Sequence, residues 1–183
     1  MRGPRIKARK RAFWILSLLL GLLMIFSPSL YVFGWHLRYG NVLVYKDKRV
    51  PVPQGWIADA KPQGLTMTKL PSTLFTFIPF DWVARSISIS KGVPLRNQTI
   101  QGAQESFEKA FWTYPPAPSD AVISGPIRMG MPANDVSCMK ATSAHQRWPV
   151  LVGCMLQQGT WHAHFVGEEK DVETFYVVVR GLK

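Results

Sequence analysis

Apolar and polar positions divide the chain into two regimes. Residues 12–35, AFWILSLLLGLLMIFSPSLYVFGW, form an apolar run without a single charge. From His36 onward the pattern is mixed, with short stretches of alternation and two of helical spacing.

An α-helix rises about 1.5 Å per residue, and a bilayer core about 30 Å thick takes about 20 apolar residues. Phe13 to Phe33 supplies that length. Aromatic residues stand at both edges, Trp14 at one and Tyr31 and Trp35 at the other, where a membrane–water interface favours them. The run predicts a transmembrane anchor over 12–35. Pro28 predicts a kink in it. The rival reading is a cleaved signal peptide, with Phe13 to Phe26 as its apolar region and processing near Ser27 to Ser29. No A-x-A stands there and apolar residues resume at Leu30, which favours a retained anchor.

Past the membrane, Asn41–Tyr45 predicts a strand and Lys46–Arg49 a solvated turn. Val50-Pro51-Val52-Pro53 is confined to a sheet edge or a polyproline-like connection. It lacks PxxP spacing, which argues against a proline-recognition ligand. Strands are predicted over Gly64–Leu70, Thr73–Phe80 and Val83–Ser90. In the last, Ile87 and Ile89 alternate with Ser86, Ser88 and Ser90. Thr99–Trp112 changes period: Ile100, Ala103, Phe107, Ala110 and Phe111 fall on one helical face. Tyr114–Pro118 ends that helix. Ala121–Met131 reads as a short strand broken at Gly125-Pro126.

Three β-like runs follow, Val136–Thr142, Val150–Gln157 and Thr160–Val166. Asp171–Leu182 has Val172, Phe175, Tyr176, Val179 and Leu182 at helical spacing, with Asp171 as its cap, although Val177–Val179 also permits a strand. The fold class is α+β: an N-terminal transmembrane helix, then one small domain with an antiparallel sheet and about two helices, the second C-terminal. The domains are a basic cytoplasmic segment 1–11, the anchor 12–35 and an extracytoplasmic domain 36–183.

Register gives the cysteines a meaning. A symmetric loop at Ser143–Pro149 sets Cys138 directly opposite Cys154, where Cβ atoms lie about 4.5–5.5 Å apart. That separation approaches disulfide geometry. A structural disulfide is predicted. A redox pair is the weaker reading, because nothing nearby in sequence lowers a thiol pKa. The next turn, at Gln158-Gly159, pairs Cys154 with Ala163 and Leu156 with Trp161. Val150, Val152, Cys154, Leu156, Trp161, Ala163 and Phe165 then share a core face, and Thr160, His162 and His164 the other.

Charge is unevenly distributed along the chain. The chain has 183 residues, 47% of them hydrophobic, and a formal net charge of +11. The 148 residues beyond position 35 are enough for one ordinary core. Six of the 22 basic residues, Arg2, Arg5, Lys7, Arg9, Lys10 and Arg11, precede the apolar run with no acid among them. The remainder carries 16 bases against 11 acids. The excess therefore belongs to membrane topology, holding the N-terminus in the cytoplasm and sending the C-terminal domain across. It does not point to nucleic acid.

No G-x-S-x-G, P-loop, G-x-G-x-x-G or zinc-type Cys/His spacing occurs, and no cofactor is implied. Glu168, Glu169, Asp171 and Glu173 read as the charged start of the last helix. Asn97-Gln98-Thr99 fits an N-glycosylation pattern short enough to arise by chance. Trp82, Trp112, Trp148 and Trp161 are core or rim residues before they are a ligand groove. His162-x-His164 is the one arrangement with chemical potential: both imidazoles share a strand face at a spacing seen in metal sites, with Asp135, His145, Glu168 and Glu169 as completing ligands. The bland reading, a polar strand face, is favoured.

The sequence therefore predicts a single-pass, membrane-anchored, non-enzymatic binding or accessory/assembly protein. Its expected partners are membrane lipid and a protein in the membrane or envelope, met through Tyr114–Pro118 or the strand edge at Val50–Pro53. The alternative is a small extracytoplasmic metal-binding protein or enzyme using His162 and His164.

Overall fold

A computed structural model of the chain describes residues 5–72, 85–92, 120–127, 136–144, 149–156 and 160–182. Its elements are helices α1 (Arg5–Ile25) and α2 (Ser27–Tyr39), and strands β1 (Val42–Tyr45), β2 (Lys48–Pro51), β3 (Trp56–Lys61), β4 (Gly64–Lys69), β5 (Ser86–Lys91), β6 (Val122–Ile127), β7 (Val136–Thr142), β8 (Val150–Leu156) and β9 (Trp161–Gly167). A 3-10 turn (Glu169–Asp171) then leads into helix α3 (Val172–Arg180). The domain is a small α+β structure with antiparallel sheets.

The predicted continuous helix is broken. α1 and α2 meet at Phe26 with a bend of 65°, and no single helix among the described residues is long and apolar enough to cross a membrane. The bent pair Phe13–Ile25 and Ser27–Tyr39 meets that criterion only when taken together. Pro28 fits the break. It lies in the first turn of α2, where a missing N–H costs nothing. In an unbroken helix its nitrogen would face the carbonyl of Met24, to which it has no hydrogen to give. Ser27 Oγ donates to that carbonyl instead, at 2.8 Å. A helix N-terminus is thus fitted into the middle of an apolar run.

Among the described residues seven strands form one sheet in the order β3-β4-β5-β9-β8-β7-β6, with every neighbouring pair antiparallel. The registers inferred from the loop lengths are the observed ones: Cys138 opposite Cys154, Cys154 opposite Ala163, Leu156 opposite Trp161. Ile87 and Ile89 are buried while Ser88 is exposed, as the alternation requires. β6 carries a register shift between Ser124 and Ile127. Gly125 in it adopts φ 154°, a conformation natural to glycine, and an added Cβ would lie 3.0 Å from the Cys138 carbonyl oxygen.

One face of the sheet carries the main core cluster, and Met139, Ala141 and Leu151 are buried on the other. Leu65, Met67, Ile87, Ile89, Trp161, Ala163, Phe165, Cys154 and Val152 meet Val172, Phe175, Val178 and Val179 of α3. The Phe165 and Phe175 rings are 5.7 Å apart. The β1–β2 hairpin contributes Tyr45 and Val50, with Val52 just beyond it, and Trp35 of α2 packs against the same cluster.

Three expectations need correction. Lys48 and Arg49 belong to β2 rather than a turn, which shrinks to Lys46-Asp47 with Lys46 at φ 54°. β3 was not expected, because Ala58, Asp59, Ala60 and Lys61 have little strand propensity; pairing with β4 holds them extended. Asp171 occupies the N-cap position of α3 but accepts no capping hydrogen bond on its side chain. Its carboxylate turns to Lys69 and Arg85. The predicted strand Thr73–Phe80, the helix Thr99–Trp112, Tyr114–Pro118 and the sequon at Asn97 lie outside the described residues.

Candidate functional site

Two features of the described structure bear on function: the bent apolar helix pair and the histidine face of the sheet.

The helix pair is built from opposed demands. The basic positions Arg5, Lys7, Arg9, Lys10 and Arg11 lie on the first turns of α1, and Arg2 lies outside the described residues. From Phe13 to Met24 apolar side chains are exposed on every side; Trp14 is 71% exposed and Leu16 66%. A helix that is apolar all round finds its low free energy in an apolar surrounding, and the described chain covers little of this one. α2 behaves differently. Pro28 and Val32 are buried and Trp35 is half-buried against the core, whereas Leu30, Tyr31, Phe33 and Leu37 are exposed. Ser29 Oγ donates to the Ser72 carbonyl at 2.6 Å. His36 Nε2 lies 2.9 Å from the Trp56 carbonyl oxygen, which accepts only, so that nitrogen carries the proton. His36 Nδ1 meets Asn41 Oδ1 at 2.9 Å. The second helix is therefore joined to the domain by apolar packing and two long-range hydrogen bonds.

On the sheet, His162 and His164 share the face opposite Cys154. Their rings stack nearly parallel, 6.4 Å between centroids and 7° between planes. His164 stands beside Ser88 and Gly153, and His162 beside Ser90 and Met155. Burial pushes the His164 pKa below its ordinary 6.5, and the neighbouring His162 adds to the effect. Both causes favour the neutral imidazole, the form that binds metal. The partners named from the sequence are not assembled around them. Glu168 pairs with Arg85 and Lys170, and Glu169 with Lys140 at 2.5 Å. His145 and Asp135 lie outside the described residues. Among the described residues no group of three or more His, Cys, Asp or Glu is arranged to hold a metal ion.

Cys138 and Cys154 are joined, S–S 2.04 Å, at the centre of the β7–β8 ladder, and both are fully buried. That position makes the bridge a staple between two core strands. Val50 and Val52, in the strand edge expected to meet a partner, point into the core, leaving Pro51 and Pro53 half-buried. Of the four tryptophans weighed as a groove, Trp161 is a core residue, edge-on to Tyr45 at 6.1 Å, and Trp82, Trp112 and Trp148 lie outside the described residues.

Sequence reasoning missed one cluster. Asp171, 3% exposed, takes Lys69 Nζ on Oδ1 at 2.5 Å and faces Arg85 Nε across 3.7 Å on Oδ2. Arg85 also pairs with Glu168. Its only signal in the sequence was an acid at the start of an amphipathic helix, which predicts a cap.

Comparison of the chain with protein-family models, with curated proteins and with solved structures finds no match.

Proposed function

We propose that this protein is a single-pass membrane-anchored accessory or assembly factor. Its N-terminus stays in the cytoplasm, and its α+β domain works by binding rather than catalysis on the far side. The observation that carries the reading is the uncovered apolar surface of Phe13–Met24, preceded by basic positions and followed by a helix fixed to the domain. Removing such a surface from water is worth about 25 cal/mol per Å² of apolar area, so a bilayer is its stable surrounding. A buried disulfide also suits an oxidising compartment beyond the membrane.

The binding role rests on the tether and on the lack of a catalytic constellation in the sequence, and its partner is expected to be another membrane or envelope protein. The test is carbonate extraction of membranes holding the full chain, combined with protease accessibility from each side. The expected result is a pelleted, full-length product whose domain is digested only from the extracytoplasmic side. A soluble product shortened by its leader overturns the anchor. Crosslinking in the same membranes tests the partner: products confined to lipid overturn the assembly role.

A further inference from the structure

Helix α2 carries two apolar stripes on opposite sides. Pro28, Val32 and Trp35 follow one another along the buried side, where Trp35 packs on the domain core. Leu30, Phe33 and Leu37 follow one another at i, i+3 and i+7 on the uncovered side, and Leu37 is 72% exposed. At 100° per residue the two stripes lie roughly half a turn apart. Arg38 is exposed in the last turn of α2, and the β1–β2 hairpin that follows exposes Lys46, Arg49, Val42 and Val44.

We propose that α2 is an interfacial helix. It lies in the headgroup region of the extracytoplasmic leaflet with Leu30, Phe33 and Leu37 in lipid. Its other stripe holds the domain, which is thereby clamped against the membrane rather than hung from a flexible linker. The inference rests on the reading that α1 enters the bilayer, and adds what α2 does there.

The bend supports it. The 13 residues Phe13–Ile25 cover about 20 Å at 1.5 Å per residue, short of the bilayer's core of about 30 Å. α2, 13 residues long and turned by 65°, adds about 8 Å along the same axis. Over its whole length α2 therefore rises only from about 20 Å to about 28 Å, along the outer edge of the apolar core rather than across it. With α1 upright, α2 is inclined about 25° to the membrane plane, the attitude of a helix with one face in lipid. Tyr31 and Phe33 are exposed on α2, where an interface favours aromatic rings, and Arg38 in its last turn supplies a cation for the lipid phosphates. The continuity of the open stripe with the all-round apolar surface of α1 makes a phospholipid bilayer its occupant.

The test uses the full chain with its disulfide intact, in phosphatidylcholine/phosphatidylglycerol vesicles. A single added cysteine (Leu20→Cys, Phe33→Cys or Leu37→Cys) carries an environment-sensitive fluorophore. Lipids with a nitroxide near the headgroup or deep in the chain act as quenchers. Position 20 should be quenched more by the deep nitroxide, and positions 33 and 37 more by the shallow one, each by at least about twofold. Quenching at 20 but none at 37 by either lipid overturns the inference and leaves the anchor standing. So does a shielded position 37 that varies with protein-to-lipid ratio, which is the mark of a second copy on the stripe. Deep quenching at 37 overturns it in favour of one continuous span. No lipid quenching at position 20 overturns the anchor itself.

Discussion

Lys69 at the end of β4 and Asp171 at the start of α3, 102 positions apart, meet through Nζ and Oδ1 at 2.5 Å. The contact fixes where the last helix begins on the sheet. Asp171 Oδ2 and Arg85 Nε are buried without a hydrogen bond, so the carboxylate depends on charge partners rather than on a full set of donors. Removing one member of a buried pair strands the other, a cost of about 3 kcal/mol. Lys69→Met should therefore destabilise the domain by about 3 kcal/mol, because it strands a buried carboxylate, and Asp171→Ala by about 1–2, because the Lys69 and Arg85 it leaves behind are about a quarter exposed. Denaturant unfolding of both variants and of the double variant checks this. Additive effects would mean the pair is not coupled.

The Cys138–Cys154 bridge closes a loop with a sequence separation of 16. On the chain-entropy argument a loop of that size contributes about 3 kcal/mol. The Cys138→Ala/Cys154→Ala double variant should lose about that much, and wild type under reductant should match it. Two alkylatable thiols in protein recovered from the extracytoplasmic side would contradict the bridge.

These two contacts mark the boundary of what the sequence makes legible. The bridge is local: one short loop and strict alternation fix the register of β7 and β8, and the cysteines fall opposite each other. The same logic orients β9 and separates His162 and His164 from the core. Asp171 is different, because no spacing within α3 points to Lys69. β3 escapes for a related reason. Trp56 alone of its residues is fully buried, and Asp59, Ala60 and Lys61 are exposed, so its partner strand defines it. Pro28 announces a kink; the 65° bend also reflects α2 docking through Val32 and His36, which only the folded domain supplies.

The histidine face should make stability depend on pH. Burial holds His164 below its ordinary 6.5, so the unfolded chain binds a proton more readily than the folded one. Stability from this group is complete above 6.5, falls as pH drops through the folded value, and levels off below it. Thermal unfolding between pH 7.5 and 5 should show a loss on acidification that His164→Gln reduces. His162→Gln removes the second cause, so the His164 imidazole should titrate at higher pH by NMR. An unchanged titration would show that the two rings are not coupled.

Pro28 and Ser27 share the carbonyl of Met24, and this makes the bend testable. Pro28 cannot donate to it and Ser27 Oγ does. In wild type, Ser27→Ala leaves that oxygen without a donor, at a cost of about 1 kcal/mol. In Pro28→Ala the new backbone N–H reaches the same oxygen, the ring clash is gone, and Ser27→Ala should cost almost nothing. The helix should also straighten, since a proline within a helix costs about 3 kcal/mol and its removal restores the ladder. Spin labels at Leu16→Cys and Leu37→Cys, in full-length protein in vesicles, should move apart in Pro28→Ala. Val32 and His36 oppose that movement by holding α2 on the domain. If the distance stays fixed, those contacts set the bend and Pro28 only accommodates it.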